Sequence, residues 1–130
     1  MATPKKSLTN NFKKARNELR NLHAERNRLL CIFYRDKKLV AGSYAEVFIR
    51  CGKPTCHCHK EGGHFATRLS HWVNGKLKSK IVCVADRGWV KSASDRYKAH
   101  KNALKKLRAL QKDELEILNR IVKMKTIDYS

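Results

Sequence analysis

The chain has 130 residues, and its 30 lysines and arginines against 11 aspartates and glutamates give a formal net charge of +19 and an isoelectric point near 10.1. This charge indicates a polyanionic partner, most often nucleic acid and less often an anionic membrane surface. Its length favours a single domain over residues 1–130, and the absence of any run of about 18 apolar residues excludes a transmembrane helix.

Residues 1–6 lack the apolar core of a secretion signal, so we expect a cytoplasmic protein associated with the nucleoid or a ribonucleoprotein. In a reducing compartment, an odd count of five cysteines argues against a disulfide framework. Cys31 lies alone in an apolar helical stretch, and we interpret it as a small core residue. Metal ligation is the leading explanation for the other four, which are Cys51, Cys56, Cys58 and Cys83.

The first third of the chain has a helical pattern. Apolar residues recur at alternating spacings of four and three from Leu8 to Phe33, with a basic interruption at Arg26. No proline or glycine breaks the pattern before Gly42, so a basic N-terminal helix is predicted over residues 8–38. Few acidic residues are placed to neutralise its cations. We therefore expect this helix to contact phosphates, at Lys13, Lys14, Arg16, Arg20 and Arg28. The alternative is that the helix is a solvated coiled-coil arm.

A predicted short strand over residues 43–50 leads into the spacing Cys-x4-Cys-x-Cys-x5-His. Zinc prefers four tetrahedral ligands with thiolate sulfur and imidazole nitrogen, and a structural site fills all four positions with protein groups. Gly52 and Pro54 allow the loop to curl so that its sulfurs face inward. We therefore predict a zinc site made by Cys51, Cys56, Cys58 and His64.

Spacing alone leaves the fourth ligand open, because His57, His59 and Cys83 also qualify beside His64. His57 and His59 alternate with the cysteines, so we expect them to point away from the metal and either support it indirectly or face phosphate. Nucleic-acid contacts are expected in this loop at Lys53, His57 and Lys60.

Asn74-Gly75 lies between two β-prone runs, and it predicts a hairpin with a type I′ turn in which Val73 pairs with Lys76. One face of that register is interpreted as core, and it holds Ala66, Trp72, Leu77, Ile81 and Cys83. The other face carries three lysines, for which the alternative role is only to discourage edge pairing. The expected phosphate contacts of the hairpin are Arg68, His71, Lys76, Lys78 and Lys80.

The run from Cys51 to Cys58, the glycine-rich spacer before His64 and the Asn74-Gly75-Lys76 turn resemble a small prokaryotic family of uncharacterised domains. That family is marked by a C-G-K-x-x-C-x-C motif, a following H-G-P-Y-Y-Y-L-like strand and an N-G-K turn. The resemblance implies a zinc-knuckle-like unit with a β-hairpin between helices, in proteins that serve mobile elements or other DNA-handling systems. It favours His64 over Cys83 as the fourth ligand. Residues 65–69 depart from the aromatic run of the family.

Asp86 is predicted to cap a basic C-terminal helix over residues 87–125, which carries a long apolar stripe. Two such helices form either an antiparallel pair within the chain or a homodimer that shares the same seams. Phosphate contacts are expected in its basic half at Lys98, Lys101, Lys105 and Arg108. Further along this helix the charged residues are acidic, at Asp113, Glu114 and Glu116. This acidic patch either pairs with the N-terminal helix or only improves solubility.

These elements predict an α+β fold in which two long helices flank a small zinc-stabilised β-hairpin or three-stranded sheet, with the knuckle and hairpin over residues 42–85. The leading hypothesis is a non-catalytic, zinc-stabilised nucleic-acid-binding protein, accessory to a larger nucleic-acid-processing system. We expect DNA or structured RNA as its target, because exposed stacking aromatics look scarce. One alternative is a helical interaction module that recruits a recombinase or an RNA-guided nuclease. A remote one is a zinc nuclease with Glu61 as its base, although a three-cysteine site is usually closed.

Overall fold

The computed structural model describes residues 4–50, 52–57, 60 and 62–129, with side chains from residue 9 onward. Its elements are helix α1, a 3₁₀ turn, strands β1 to β3, a second 3₁₀ turn and helix α2. Their bounds are Pro4–Leu30, Cys31–Tyr34, Ser43–Ile49, His64–Val73, Lys76–Ile81, Val84–Asp86 and Arg87–Lys125. Two helices flanking a three-stranded antiparallel sheet along the chain make an α+β fold, as the sequence predicts.

The chain divides into two compact units. The helical unit contains residues 1–35 and 102–130, and the sheet unit contains residues 36–101. The described part of the helical unit therefore joins α1 to the last two-thirds of α2, while the sheet unit contains all three strands and the first turns of α2. Their behaviour as one cooperative domain stays a prediction.

The helical unit packs as an antiparallel pair within one chain, the first of the two predicted arrangements. Its buried core consists of Ala15 and Leu22 from α1 with Ile117 from α2. Apolar side chains pack against that core, namely Leu19, Leu110, Ile121 and Met124. At the two ends, Phe12 lies under the Lys125 ammonium at 4.8 Å and Arg26 pairs with Glu114 at 3.4 Å.

The first helix ends earlier than expected, at Leu30, and not near residue 38. In the sheet unit, the last residues of the predicted helix and those before β1 have a non-helical conformation in which α2 holds their carbonyls. The Arg96 guanidinium donates two hydrogen bonds to the carbonyl of Lys38, at 3.1 and 3.0 Å. The Ser94 hydroxyl donates to the carbonyl of Gly42 at 2.7 Å. These carbonyls are thus satisfied without helical hydrogen bonds.

The sheet has the order β1-β2-β3, with β2 in the centre. Asn74 and Gly75 have φ values of 51° and 79°, the positive values that a type I′ turn requires. Val73 pairs with Lys76, so the predicted hairpin register is confirmed. Strand β1 covers Ser43–Ile49, one residue shorter than predicted.

The interpretation of the Trp72 side of the hairpin as core is wrong. Trp72, Leu77 and Ile81 are 71%, 55% and 51% exposed, and Cys83 is exposed as well. Ala66 is half-buried. The opposite face of the central strand is the buried one, and Thr67 on that face is fully enclosed.

The first turns of α2 explain which face is buried. The Thr67 hydroxyl donates to the Val82 carbonyl at 3.1 Å and accepts a hydrogen bond from Arg87 Nε at 3.2 Å. Leu69 and Val90 line a cavity of about 240 Å³ together with Val82. Helix α2 therefore packs over the middle of β2, while β3 remains exposed along its whole length.

Candidate metal centre and nucleic-acid interface

The predicted zinc ligands lie where β1 passes into β2. Ile49, the last residue of β1, pairs with His64, the first residue of β2. The connection between them consists of residues 50–63 and carries the three cysteines of the motif. Antiparallel pairing therefore brings the two ends of this connection side by side, at one end of the β1–β2 pair.

Gly63 allows the two strands to approach closely beside His64. Its φ is 107°, and a Cβ at this position would lie 2.8 Å from the carbonyl carbon of Ile49. Only glycine fits a left-handed backbone against another backbone at this distance. Gly63 thereby fixes the position of the backbone from which the His64 side chain extends.

Cys56 and His64, two of the predicted ligands, lie together. Cys56 Sγ is 3.4 Å from His64 Nε2, which is within hydrogen-bonding distance for sulfur. With Zn–S of about 2.3 Å and Zn–N of about 2.0–2.1 Å, a sulfur and a nitrogen ligand of tetrahedral zinc lie about 3.5 Å apart. A turn closed by the Cys56 N–H to the Lys53 carbonyl at 3.1 Å orients the loop. The pair thus has the spacing of one edge of a zinc tetrahedron.

His57 lies outside this pair, with its ring centroid 6.1 Å from that of His64. Its side chain is exposed, and its carbonyl accepts a hydrogen bond from the Lys60 N–H at 3.0 Å. Lys53 and Lys60 are exposed in the same loop. Three of the predicted phosphate contacts are therefore exposed in the connection that carries Cys56.

The predicted ligands Cys51 and Cys58 lie outside the described residues, as do His59 and Glu61. Among the residues that the structure does describe, no three histidine, cysteine or acidic side chains are grouped so as to hold a metal. Cys56, His64 and Cys83 are all described, and Cys83 does not complete a group with the other two. Within the described chain, the Cys56–His64 pair is what remains of the predicted site.

The other two cysteines have separate surroundings. Cys83 is exposed just after β3, and its carbonyl accepts a hydrogen bond from the Asp86 N–H at 2.9 Å. Cys31 is also exposed, so its interpretation as a core residue is wrong. Its thiol donates to the Asn27 carbonyl at 3.3 Å, one helical turn earlier, which satisfies the side chain at the surface.

In the sheet unit, β3 presents its lysines as an exposed row. Lys76, Lys78 and Lys80 alternate along the edge strand on the same side of the sheet. Within the described chain, none of the three lies in an ion pair. His71, opposite Lys78, is half-buried with its Nδ1 atom enclosed, so this ring offers less surface to a phosphate than the lysines do. Arg68 is half-buried on the other face.

In the helical unit, the predicted contacts of α1 are exposed but not equivalent. Arg28 is held by Glu25 at 2.5 Å, and Arg16 lies 5.7 Å from the centroid of the Phe12 ring. The remaining three are exposed with no ion pair among the described residues: Lys13, Lys14 and Arg20. Lys105 and Arg108 of α2 are exposed in the same unit.

Lys98 and Lys101 belong to the sheet unit and are exposed on α2. Lys101 Nζ lies 5.9 Å from the centroid of the Tyr97 ring. Further along α2, Glu114 accepts from both His23 and Arg26, at 3.0 and 3.4 Å. The expected pairing of the acidic patch with the N-terminal helix is therefore confirmed for Glu114.

Sequence reasoning missed the exposed aromatic side chains. Phe48, Trp72 and Trp89 are all more than half exposed, although we expected stacking aromatics to be scarce at the surface. The alternation of the hairpin placed Trp72 correctly beside Leu77. It contains no signal for which face a helix covers, because both faces carry apolar residues.

No helix in the described part of the chain combines the length and the apolarity needed to cross a bilayer. A protein-family model, described as a domain of unknown function (DUF6788), matches residues 13–92. No curated protein and no solved structure matches the chain.

Proposed function

The chain belongs to the DUF6788 family of domains of unknown function, and we propose that it is a non-catalytic, zinc-stabilised nucleic-acid-binding protein. It contacts the phosphate backbone of DNA or structured RNA, in the cytoplasm, as an accessory to a larger nucleic-acid-processing system. The observation that carries the proposal is the row of Lys76, Lys78 and Lys80, exposed along an edge strand without acidic partners among the described residues.

A solvated protein surface usually mixes charges of both signs, and this row does not. In the sheet, Glu46 is the one acidic side chain among the three strands, and it lies on β1, across the central strand from the lysines. Lysines at alternate positions of a strand follow one another every ~6.7 Å on the same side. Such a row neutralises consecutive phosphates and releases their counterions on binding.

The cations of the helical unit add a second basic surface in support of the proposal. Lys13, Arg16 and Arg20 recur at spacings of three and four residues, which places them on one face of α1. The acidic residues nearby are occupied elsewhere: Glu18 pairs with Arg120 and Glu25 with Arg28. This face of α1 therefore has cations available for phosphate.

Zinc is proposed to be held by Cys51, Cys56, Cys58 and His64, with Cys83 as the alternative fourth ligand. Support comes from the 3.4 Å separation of Cys56 and His64 and from the close approach of Gly63 to Ile49 that positions His64. A metal in this place links the connection to the first residue of β2 and stabilises a sheet unit with a small core. Its proposed role is structural, because a site with three thiolates and one imidazole leaves no open position.

The proposal is tested by nucleic-acid binding of the purified chain over a range of salt concentrations, with duplex DNA and a folded RNA as probes. We expect binding whose affinity falls steeply with salt. In the triple variant K76Q/K78Q/K80Q, the slope of log affinity against log salt becomes shallower by about 2–3, at about 0.9 per lost phosphate contact. The control K76R/K78R/K80R keeps the charges and retains the slope.

Absence of binding by the isolated chain at moderate salt contradicts the proposal. Binding that is unaffected by the glutamine variant leaves the function in place but moves the interface to the basic face of α1. The variant Arg20→Gln combined with Lys13→Gln then loses affinity where the strand variant does not.

The second candidate function is a helical interaction module that recruits a recombinase or an RNA-guided nuclease. Leu115, Leu118 and Val122 favour it, since they recur at helical spacing on α2 and are exposed in the single chain. Their replacement by polar residues abolishes capture of a partner enzyme in this case and leaves nucleic-acid binding unchanged. A homodimer through the same residues is revealed by sedimentation of the chain alone.

A further inference from the structure

One face of the sheet, opposite the face that the first turns of α2 cover, carries exposed apolar side chains. Its members alternate with the lysine row and are Arg68, Ser70, Trp72, Leu77, Ser79 and Ile81; we call it the tryptophan face. Trp72 pairs directly with Leu77 and is 71% exposed. Next to this pair, the hydroxyls of Ser70 and Ser79 are hydrogen-bonded to each other at 2.9 Å.

Such a face is unusual for a surface with no partner. Residues directly opposite in an antiparallel pair lie about 4.5–5.5 Å apart, so Trp72 and Leu77 form one contiguous apolar area. An exposed apolar area with polar residues around it is a candidate interaction site. The indole of Trp72 offers an open ring face, and its neighbours Ser70 and Ser79 are small.

The net charge of the chain indicates which kind of partner binds the tryptophan face. A net charge of +19 repels a second copy, and the lysines of β3 prevent strand pairing at this edge. A nucleic acid, by contrast, is attracted by the positive charge, and its bases offer flat rings to the indole. Unpaired bases stack on tryptophan irrespective of their identity, while Arg68 on the same face and the lysines along β3 are available to phosphates.

We propose that the tryptophan face stacks the unpaired bases of a single-stranded nucleic acid segment. Arg68 on that face neutralises its phosphates, and the backbone passes around the open edge of β3 to reach the lysines, which point to the opposite side of the sheet. This rests on the proposed function and narrows its target from any polyanionic backbone to one with splayed-out bases. A duplex, whose bases are stacked on each other, contacts the lysines but not Trp72. Stacking does not read the sugar, so oligothymidylate and oligouridylate bind alike.

The test measures fluorescence and affinity together. The chain has two tryptophans, so Trp89→Phe leaves Trp72 as the reporter. We expect oligothymidylate of about ten nucleotides to quench Trp72, and duplex of equal length to leave its emission unchanged. Trp72→Ala weakens single-strand binding about 5- to 150-fold and leaves duplex binding unaltered. Trp72→Phe, which keeps a ring, retains most of the affinity.

The outcomes separate the two proposals. Duplex and single strand bound equally by the wild-type chain and by Trp72→Ala overturn the tryptophan face and leave the phosphate interface intact. No binding of any nucleic acid overturns both. Concentration-dependent self-association that Trp72→Ala abolishes assigns the face to a second copy of the chain, which also overturns the inference. Because Trp72 is exposed, its replacement leaves the fold intact, and thermal unfolding of each variant verifies this.

Discussion

Arg87, the first residue of α2, donates a hydrogen bond from Nε to the hydroxyl of Thr67, which is fully buried in the central strand. The same arginine lies over the Phe65 ring, with Cζ 5.0 Å from the ring centroid. One side chain thus attaches the start of the helix to both a polar and an aromatic residue of β2. The Thr67 hydroxyl also donates to the Val82 carbonyl, so a single oxygen connects β2, the residue that follows β3 and α2.

Thr67→Val removes that oxygen and keeps the shape of the side chain. The Val82 carbonyl and Arg87 Nε then lose a partner in a largely enclosed place, which costs about 1–3 kcal/mol of unfolding free energy. Thr67→Ser retains the hydroxyl and loses only a methyl group. Urea unfolding followed by tryptophan fluorescence measures both, and an equal loss in the two variants contradicts a role for the hydrogen bonds.

If zinc binds as proposed, its removal is expected to destabilise the sheet unit and to leave the helices intact. The two helices contain 27 and 39 residues and lie outside the ligand loop, so most of the far-UV helical signal remains after treatment with a strong chelator. The fluorescence-detected transition moves to lower temperature, because zinc binding contributes to folding free energy. Unchanged thermal unfolding after chelation speaks against a structural metal.

Single substitutions of cysteine and histidine identify the ligands. Cys56→Ser and His64→Asn are expected to lower the zinc content measured by elemental analysis from the proposed one per chain, whereas Cys31→Ser, at an exposed position in the 3₁₀ turn after α1, leaves it unchanged. Cys83→Ser decides the alternative. Zinc lost with Cys83→Ser and kept with His64→Asn assigns the fourth position to the cysteine.

Gly63→Ala is expected to disturb the same site without touching a ligand. The new Cβ lies 2.8 Å from the Ile49 backbone, at a φ of 107° that a side chain rarely adopts. The strain costs about 1–3 kcal/mol and shifts His64 relative to Cys56. Gly62→Ala has a similar φ but open space around the added carbon, so it retains the zinc affinity better. Equal zinc affinities of the two variants contradict this account.

Glu114→Gln tests the ion pairs between α1 and α2. The Arg26 side chain is 50% exposed, so solvent screens the attraction. We expect a loss of only about 0.2–1 kcal/mol, which disappears at high salt. Glu25→Gln, which breaks a pair within α1, is the matched control for the general loss of a carboxylate. A loss above 3 kcal/mol indicates that the pair is more enclosed than this geometry shows.

Ile117→Ala tests whether the two units unfold together. The substitution removes part of the buried core of the helical unit and costs about 2–5 kcal/mol. Both tryptophans lie in the sheet unit, so their emission reports that unit alone. For a single domain, circular dichroism and fluorescence shift to the same lower midpoint. A fluorescence transition that does not move shows independent unfolding.

The local chemistry of the chain predicted the hairpin well, because Asn74-Gly75 satisfies a turn that requires two positive φ values. The heptad positions also predicted the helix pair, because Ala15, Leu22 and Ile117 belong to the apolar seams along which the two helices pack. In both cases the determining interactions are encoded within a few residues or one periodicity. The start of α2 at Arg87 also agreed with expectation.

Features that depend on contacts between distant segments of the chain could not be predicted from local patterns. Both faces of the hairpin carry apolar side chains, and the face covered by α2 was decided by Thr67, Val82 and Arg87, whose hydrogen bonds link distant segments. The non-helical conformation around Lys38 depends likewise on Arg96, 58 residues beyond the carbonyl that it holds. Of the candidate metal site, the described residues bring together Cys56 and His64.

The division of the chain has a consequence for its synthesis. The helical unit needs residues from both sides of the sheet unit, which is complete once residue 101 has emerged from the ribosome. At a typical 5–20 residues per second, the seam of α1 waits about 4–14 s for its partner on α2. During that interval an apolar stripe flanked by cations is presented beside ribosomal RNA.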